Sequence, residues 1–238
     1  MLLLAHRGAS ADMPENTLDA FEEAMRQGAD GVELDARLCG SGEVVVCHDD
    51  DLRRVAGLDL RVDGTGWQKL REIDVGRRLK GVPARIPLLA EVLRAMPPKA
   101  CINVELKCEG WNDGGLTAAV VKVIREARAE GQVVISSFNA PCLARLRYLA
   151  PKLRRGYLID PDRSFLLHGR LLAGPLSNYS VHPSAETCTA EGVRRWRAHG
   201  LEVAVWTVDE PQRARAFRDM GVRYLITNQP KAVRAGLS

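Results

Sequence analysis

Short apolar runs alternate with longer amphipathic segments from one end of the chain to the other, and this alternation limits the fold more than any other feature. Strand-like runs fall at 2–6, 31–36, 43–48, 101–106, 133–137, 156–159, 178–182, 202–207 and 223–227. Helical periodicity covers 17–28, 87–96, 115–130, 140–150, 163–172, 189–199, 210–220 and 230–236. Start and stop signals agree with it. Asn16-Thr17 and Thr189 stand where helices should begin, and Gly28, Gly131, Gly200 and Gly221 stand just past helix ends. A strand, a helix and a further strand in series call for parallel pairing through right-handed crossovers.

Roughly eight such units in 238 residues suit a TIM (β/α)8 barrel, which typically takes about 250 residues. A doubly wound open sheet would announce itself by a glycine-rich loop after the first strand. Here that strand runs into His6-Arg7-Gly8 instead. The expected fold is therefore α/β, a TIM (β/α)8 barrel. Residues 49–86 break the rhythm with charges, glycines and weak periodicity. They read as a small insertion after the second strand, within one barrel domain spanning 1–238.

The strands end in the wrong chemistry for plain packing. Leu2-Leu3-Leu4-Ala5 stops at His6-Arg7, and Val44-Val45-Val46-Cys47 stops at His48-Asp49. Glu33 and Asp35 interrupt the second strand, and Glu105 and Lys107 the run at 101–106. Burying an unpaired charge is expensive, and every one of these interruptions falls at the same end of its strand. A barrel opens all its strand C-termini onto one face. Residues two apart leave the same side of a strand, so Glu33 and Asp35 point together, as do Glu105 and Lys107. Three hard oxygen ligands suit Mg²⁺ or Ca²⁺, Arg7 and Lys107 offer donors to phosphate oxygens, and His6 and His48 can flank a bound substrate. Asn16 is expected to cap the first helix.

Other classes fit less well. The net charge of +4 is spread along a chain that is 27% charged, which suits a small anion rather than nucleic acid. No apolar run approaches the length of a membrane span or follows a basic leader, so a cytoplasmic protein without a membrane partner is expected. The six cysteines, at 39, 47, 101, 108, 142 and 188, show no zinc spacing and are expected to be free thiols. The histidines at 168, 182 and 199 are expected to be structural or exposed.

The chain resembles the glycerophosphodiester phosphodiesterase family. The resemblance rests on His6-Arg7-Gly8, Pro14-Glu15-Asn16-Thr17, Glu33-Leu34-Asp35, His48-Asp49 with Leu52 and Arg54, Ile86-Pro87-Leu88, Glu105-Leu106-Lys107, Ser137-Phe138, Trp206-Thr207-Val208 and Thr227-Asn228-Gln229-Pro230. It implies metal-dependent hydrolysis of small glycerophosphodiesters, such as glycerophosphocholine or glycerophosphoethanolamine, to glycerol 3-phosphate and an alcohol. It also implies one divalent cation (Mg²⁺ or Ca²⁺, with Mn²⁺ as a third candidate) on Glu33, Asp35 and Glu105. His6 and His48 would then be the acid/base pair, with Arg7 and Lys107 on the phosphate and Phe138 and Trp206 beside the glycerol. The chain departs from the family pattern at Val55, Asp209 and Asn228, none of them an expected metal or acid/base residue.

Overall fold

A computed structural model describes residues 1–108, 110–159 and 173–237 of the chain. In chain order the elements begin β1 (Leu2–His6), α1 (Leu18–Arg26), β2 (Gly31–Leu38) and β3 (Val44–Val46). Three one-turn helices follow, α2 (Arg53–Ala56), α3 (Trp67–Leu70) and α4 (Arg77–Lys80), then α5 (Leu89–Ala95) and β4 (Cys101–Leu106). The second half holds α6 (Leu116–Glu126), β5 (Val133–Ser137), α7 (Ala140–Leu149), β6 (Arg154–Ile159), α8 (Ala173–Leu176) and β7 (Ser180–Pro183). It ends with α9 (Ala190–Ala198), β8 (Glu202–Val205), α10 (Pro211–Asp219), β9 (Tyr224–Thr227) and α11 (Pro230–Leu237).

Eight strands pair in parallel, in the order β1-β2-β4-β5-β6-β7-β8-β9, and β9 returns to β1 to close the barrel. The fold is the expected TIM barrel. The run at 43–48 is not one of its staves: β3 folds back on β2 as an antiparallel hairpin, pairing Ala36 with Val46 and Leu38 with Val44. Hydrophobic pattern alone does not distinguish a buried hairpin arm from a barrel stave, because both are short apolar runs. The helix expected at 163–172 lies outside the described residues. Among the described residues, no helix is long and apolar enough to cross a membrane.

The two-residue period of a strand sorts each stave into two faces. Val32, Leu34 and Ala36 of β2, with Ile102, Val104 and Leu106 of β4, join the main core with Phe21, Leu89, Val92 and Ile124 of the helices. Each such fully buried Val, Leu, Ile or Phe side chain contributes on the order of 1.5–3 kcal/mol. The opposite faces of the same strands carry Glu33, Asp35, Asn103 and Glu105, and those four are buried as well. Leu4, Ala204, Tyr224 and Ile226 cluster separately, packed against by Trp206. Gly156 of β6 is obligatory at its position, since a Cβ there would lie 2.3 Å from His182 Nε2. Residues 49–86 carry α2 to α4 and an apolar cluster in which Leu52, Val55, Leu70 and Ile86 meet Cys39, Val45 and Cys47 of the hairpin.

Two sequence-based expectations are corrected. Thr17, not Asn16, caps α1, its hydroxyl accepting from Ala20 N. Cys108 and Cys142 are not free thiols; they form a disulfide, while Cys39, Cys47, Cys101 and Cys188 are free. The neighbouring staves β4 and β5 bring the loop after β4 to the first turn of α7, across 34 residues of sequence. No spacing rule reports such a meeting.

Candidate active site

The residues singled out in the sequence converge at the C-terminal mouth of the barrel. Glu33, Asp35 and Glu105 each offer a carboxylate oxygen, and these atoms lie within 4.8 Å of one another. Adjacent staves explain it: Asp35 is in register with Glu105 across the β2–β4 pair, and His6 with Glu33 across β1–β2. The three carboxylates are 3%, 1% and 8% exposed.

Two cations hold this cluster. Arg7 Nε lies 3.1 Å from Asp35 Oδ2, and Lys107 Nζ lies 3.2 Å from Asp35 Oδ1 and pairs closely with Glu105 Oε1. Arg7 also donates its backbone N–H to Glu33 Oε2 at 3.1 Å. That close approach is set by a left-handed turn: Arg7 and Asn16 have φ of 56° and 58°, values few non-glycine residues adopt. Gly8 completes the turn with φ of 84°, where a Cβ would sit 2.6 Å from the Ala20 carbonyl carbon. Asn16, freed from capping, donates its amide to Asp35 Oδ2 at 2.8 Å.

Each histidine leans on an oxygen. His6 Nδ1 is 2.7 Å from Asn228 Oδ1, and its Nε2 is 3.9 Å from Glu33 Oε2. His48 Nδ1 is 2.7 Å from Asp49 Oδ1, and Arg37 Nε donates to the His48 carbonyl at 2.9 Å. A chain of ion pairs joins the two sides: Arg7 to Glu15 at 2.9 Å, Glu15 to Arg54 at 2.7 Å, and Arg54 to Asp49 at 2.7 Å. Sequence reasoning passed over the roles of Asp49, Arg54, Asp209 and Asn228. Asp49 could have been found as the carboxylate next to a strand-end histidine; Asp209 and Asn228 carry no local signal.

Between these groups lies a cavity of about 110 Å³, lined by His6, Arg7, Glu33, His48, Glu105 and Lys107 on its polar side. Phe138 and Trp206 form its apolar wall with Leu158 and Ile226. The two rings meet edge to face, with centroids 5.6 Å apart, and Trp206 Nε1 donates to the His182 carbonyl at 2.9 Å. A larger open groove of about 560 Å³ adjoins it through Lys107 and is lined further by Arg37, Asp50, Arg61, Asp63 and Asp113. His182 is buried, His199 is exposed with Nδ1 on the Arg195 carbonyl, and His168 lies outside the described residues.

The charges divide unevenly among the carboxylates. Burial disfavours all three, but Lys107 and Arg7 face Asp35 and hold it well below the usual carboxylate range. Glu33 is pushed up to about 8 by burial and by the charge on Asp35. Glu105 is pushed up to about 7 by burial, against the pull of Lys107. Burial lowers both His6 and His48, so both imidazoles are neutral near pH 7. A pocket that crowds three hard oxygens and forces two to keep protons suits a divalent cation, which would displace them.

This predicts an unusual pH response. Above 6.5, the ordinary value of the histidines whose pKa burial lowers, and up to about 8, Glu33 and Glu105 keep protons that the unfolded chain has lost, so stability falls as pH rises through that window. The metal-free protein should therefore melt lower at pH about 8.5 than at about 7, and saturating Mg²⁺ should remove the difference. Thermal melts of wild type and Glu33→Gln check it; an equal pH dependence in both would contradict the assignment.

Residues 6–232 match the model of the glycerophosphoryl diester phosphodiesterase family. A glycerophosphodiester phosphodiesterase from Caldanaerobacter subterraneus subsp. tengcongensis is 33% identical, over 98% of this chain and 96% of its own. Among solved structures, a phosphodiesterase from Oleispira antarctica, in complex with the product sn-glycerol-3-phosphate, superposes with a TM-score of 0.88 at 26% identity, covering 100% of this chain and 96% of its own. The glycerophosphodiester phosphodiesterase from Thermotoga maritima superposes with a TM-score of 0.80 at 31% identity, covering 99% and 97%.

Proposed function

The chain belongs to the glycerophosphoryl diester phosphodiesterase family, and we propose that it hydrolyses small glycerophosphodiesters, such as glycerophosphocholine or glycerophosphoethanolamine, to glycerol 3-phosphate and an alcohol. The observation that carries this is the two-sided cavity. One wall offers Glu33 and Glu105, two cations and two histidines, with Asp35 within 4.8 Å of the two carboxylates; the other offers Phe138 and Trp206. The Oleispira relative holds sn-glycerol-3-phosphate, the product this reading expects.

Glu33, Asp35 and Glu105 would hold one divalent cation, Mg²⁺, Ca²⁺ or Mn²⁺. Such a cation would polarise a phosphoryl oxygen and offset the charge that builds there. The chain's own groups do the rest. Arg7 and Lys107 stand beside the cluster as donors for the phosphate oxygens. One histidine takes the proton from the attacking oxygen as it bonds to phosphorus, that oxygen being water's, or the glycerol hydroxyl's with water then opening the cyclic phosphate. The other gives a proton to the alcohol oxygen as its bond to phosphorus breaks. Phe138 and Trp206 cover the carbon face of the glycerol, and the adjoining groove beyond Lys107 takes the alcohol.

The test is glycerol 3-phosphate release from glycerophosphocholine and glycerophosphoethanolamine by metal-stripped protein, with and without Mg²⁺, Mn²⁺ or Ca²⁺. Release that depends on added cation supports the reading; no release by folded protein with any cation overturns it. Trp206→Ala tests the apolar wall separately. Losing ~1.5–3 kcal/mol of apolar contact should raise KM for glycerophosphocholine by about one to two orders of magnitude, with kcat changed much less. An unchanged KM would remove Trp206 from the substrate site.

A further inference from the structure

Beside the cavity, three residues from three neighbouring staves form a line of hydrogen bonds whose direction can be read from one end. Asp209 follows β8, Asn228 follows β9, and His6 ends β1, and these staves are adjacent in the barrel. The Asp209 carboxylate is the anchor. Its Oδ1 accepts from the Asn228 backbone N–H at 2.7 Å and from the Thr227 hydroxyl at 2.8 Å. Its Oδ2 lies 2.7 Å from the Asn228 side-chain amide.

An ionised carboxylate only accepts, so the amide atom facing it must be the NH₂. An Asn side chain is assigned from its partners, and this partner leaves one choice. The carbonyl Oδ1 of Asn228 therefore faces the other way, where it accepts from the Ser10 hydroxyl at 2.9 Å and meets His6 Nδ1 at 2.7 Å. An amide oxygen cannot donate. The His6 ring nitrogen at this contact must carry the proton.

We infer that Asp209 and Asn228 act as a positioning pair that locks neutral His6 in its Nδ1–H tautomer and turns the lone pair of Nε2 toward the cavity, so that resting His6 presents a proton acceptor there. This rests on the proposed hydrolysis and names the nitrogen of His6 that exchanges the proton. Nε2 takes a proton from a reacting oxygen, and the same nitrogen must lose it again before the next turnover. At His48 a carboxylate, Asp49, faces Nδ1 directly, with no amide between. The other tautomer of His6 would set an unprotonated Nδ1 against the Asn228 carbonyl and put a hydrogen where the acceptor is needed.

The pair is reciprocal, and this makes a rescue experiment possible. In the combined exchange Asp209→Asn with Asn228→Asp, the new amide donates to the new carboxylate. The new amide's carbonyl keeps the Thr227 and backbone donors, and the carboxylate accepts from His6. Every donor still meets an acceptor. Either exchange alone breaks the line. Asp209→Asn sets two amides against each other and lets Asn228 turn its NH₂ toward His6; Asn228→Asp sets two carboxylates against each other.

Two readouts decide it. In wild-type protein with bound Mg²⁺ and ¹⁵N-labelled histidine, with His6 assigned by comparison with His6→Gln, Nδ1 should show the protonated shift and Nε2 the unprotonated one. In glycerophosphocholine hydrolysis, each single exchange should lower kcat by about 10–100-fold with KM little changed, as loss of a group that orients another does. The double exchange should recover kcat to within roughly threefold. A proton on Nε2 of wild-type His6 overturns the inference, as do single variants with wild-type kcat or a folded double variant no better than the singles. The tautomer is read without any variant of the pair having to fold. Wild-type protein that is inactive yet shows the Nδ1–H tautomer would count against the proposed substrate and not against the positioning pair.

Discussion

Replacing His6 or His48 with alanine is expected to lower kcat for glycerophosphodiester hydrolysis by roughly 10²–10⁴-fold, the usual worth of a positioned acid or base. The fold should tolerate both changes. The side chains are 21% and 33% exposed, and neither belongs to an apolar cluster of the core. Cation binding should survive as well, because neither imidazole is one of the three carboxylate ligands. Calorimetry with Mg²⁺ and a thermal melt separate this outcome from simple unfolding. Wild-type turnover in both variants would end the acid/base assignment.

The second large effect is expected at Asp35, where function and stability meet. Asp35→Ala should abolish Mg²⁺ binding and destabilise even the metal-free protein, because it leaves Arg7 and Lys107 without their shared partner. Breaking a buried ion pair by removing one partner costs about 3–5 kcal/mol. For a chain of this size that is a drop in Tm of roughly 6–20 °C. Glu33→Gln should behave differently. Glu33 is held partly protonated by burial and by its neighbour's charge, so a neutral amide at that position relieves repulsion. That variant should also lose Mg²⁺ binding yet melt no lower than wild type at pH about 8 in the absence of metal. Equal destabilisation by the two substitutions would show that the cations do not single out Asp35.

The contrast between two carboxylates on one strand shows where sequence reading ends. The two-residue period of β2 places Glu33 and Asp35 on one face, and the same rule places Asn103 and Glu105 together on β4. Both placements are legible from the chain alone. Which carboxylate meets the cations is not, since that depends on the order of the staves and on a left-handed turn at Arg7. Asn16 makes the same point. Its position before a helix suggests a cap, but a positive φ swings its amide onto Asp35 and leaves capping to Thr17.

Other features had no local trace. The run at 43–48 has the composition of a stave but pairs antiparallel to β2. Cys108 and Cys142 are 34 residues apart and become partners only because β4 and β5 are neighbours. Asp209 and Asn228 reach His6 only once β9 closes on β1. The last two are contacts between segments distant in sequence and the first is a choice of pairing direction, and periodicity measures only what happens within a segment.

By itself the sequence determined the β/α alternation, the parallel barrel that follows from it, and the end of each strand at which the polar groups stand, because these depend on side-chain periodicity and on the cost of burying charge. The tertiary structure alone decided which of those groups touch, which carboxylate keeps its charge and which nitrogen of His6 bears the proton. Those properties belong to distances across closed staves, where a few ångströms in a buried site set the strength of every charge and the direction of every hydrogen bond.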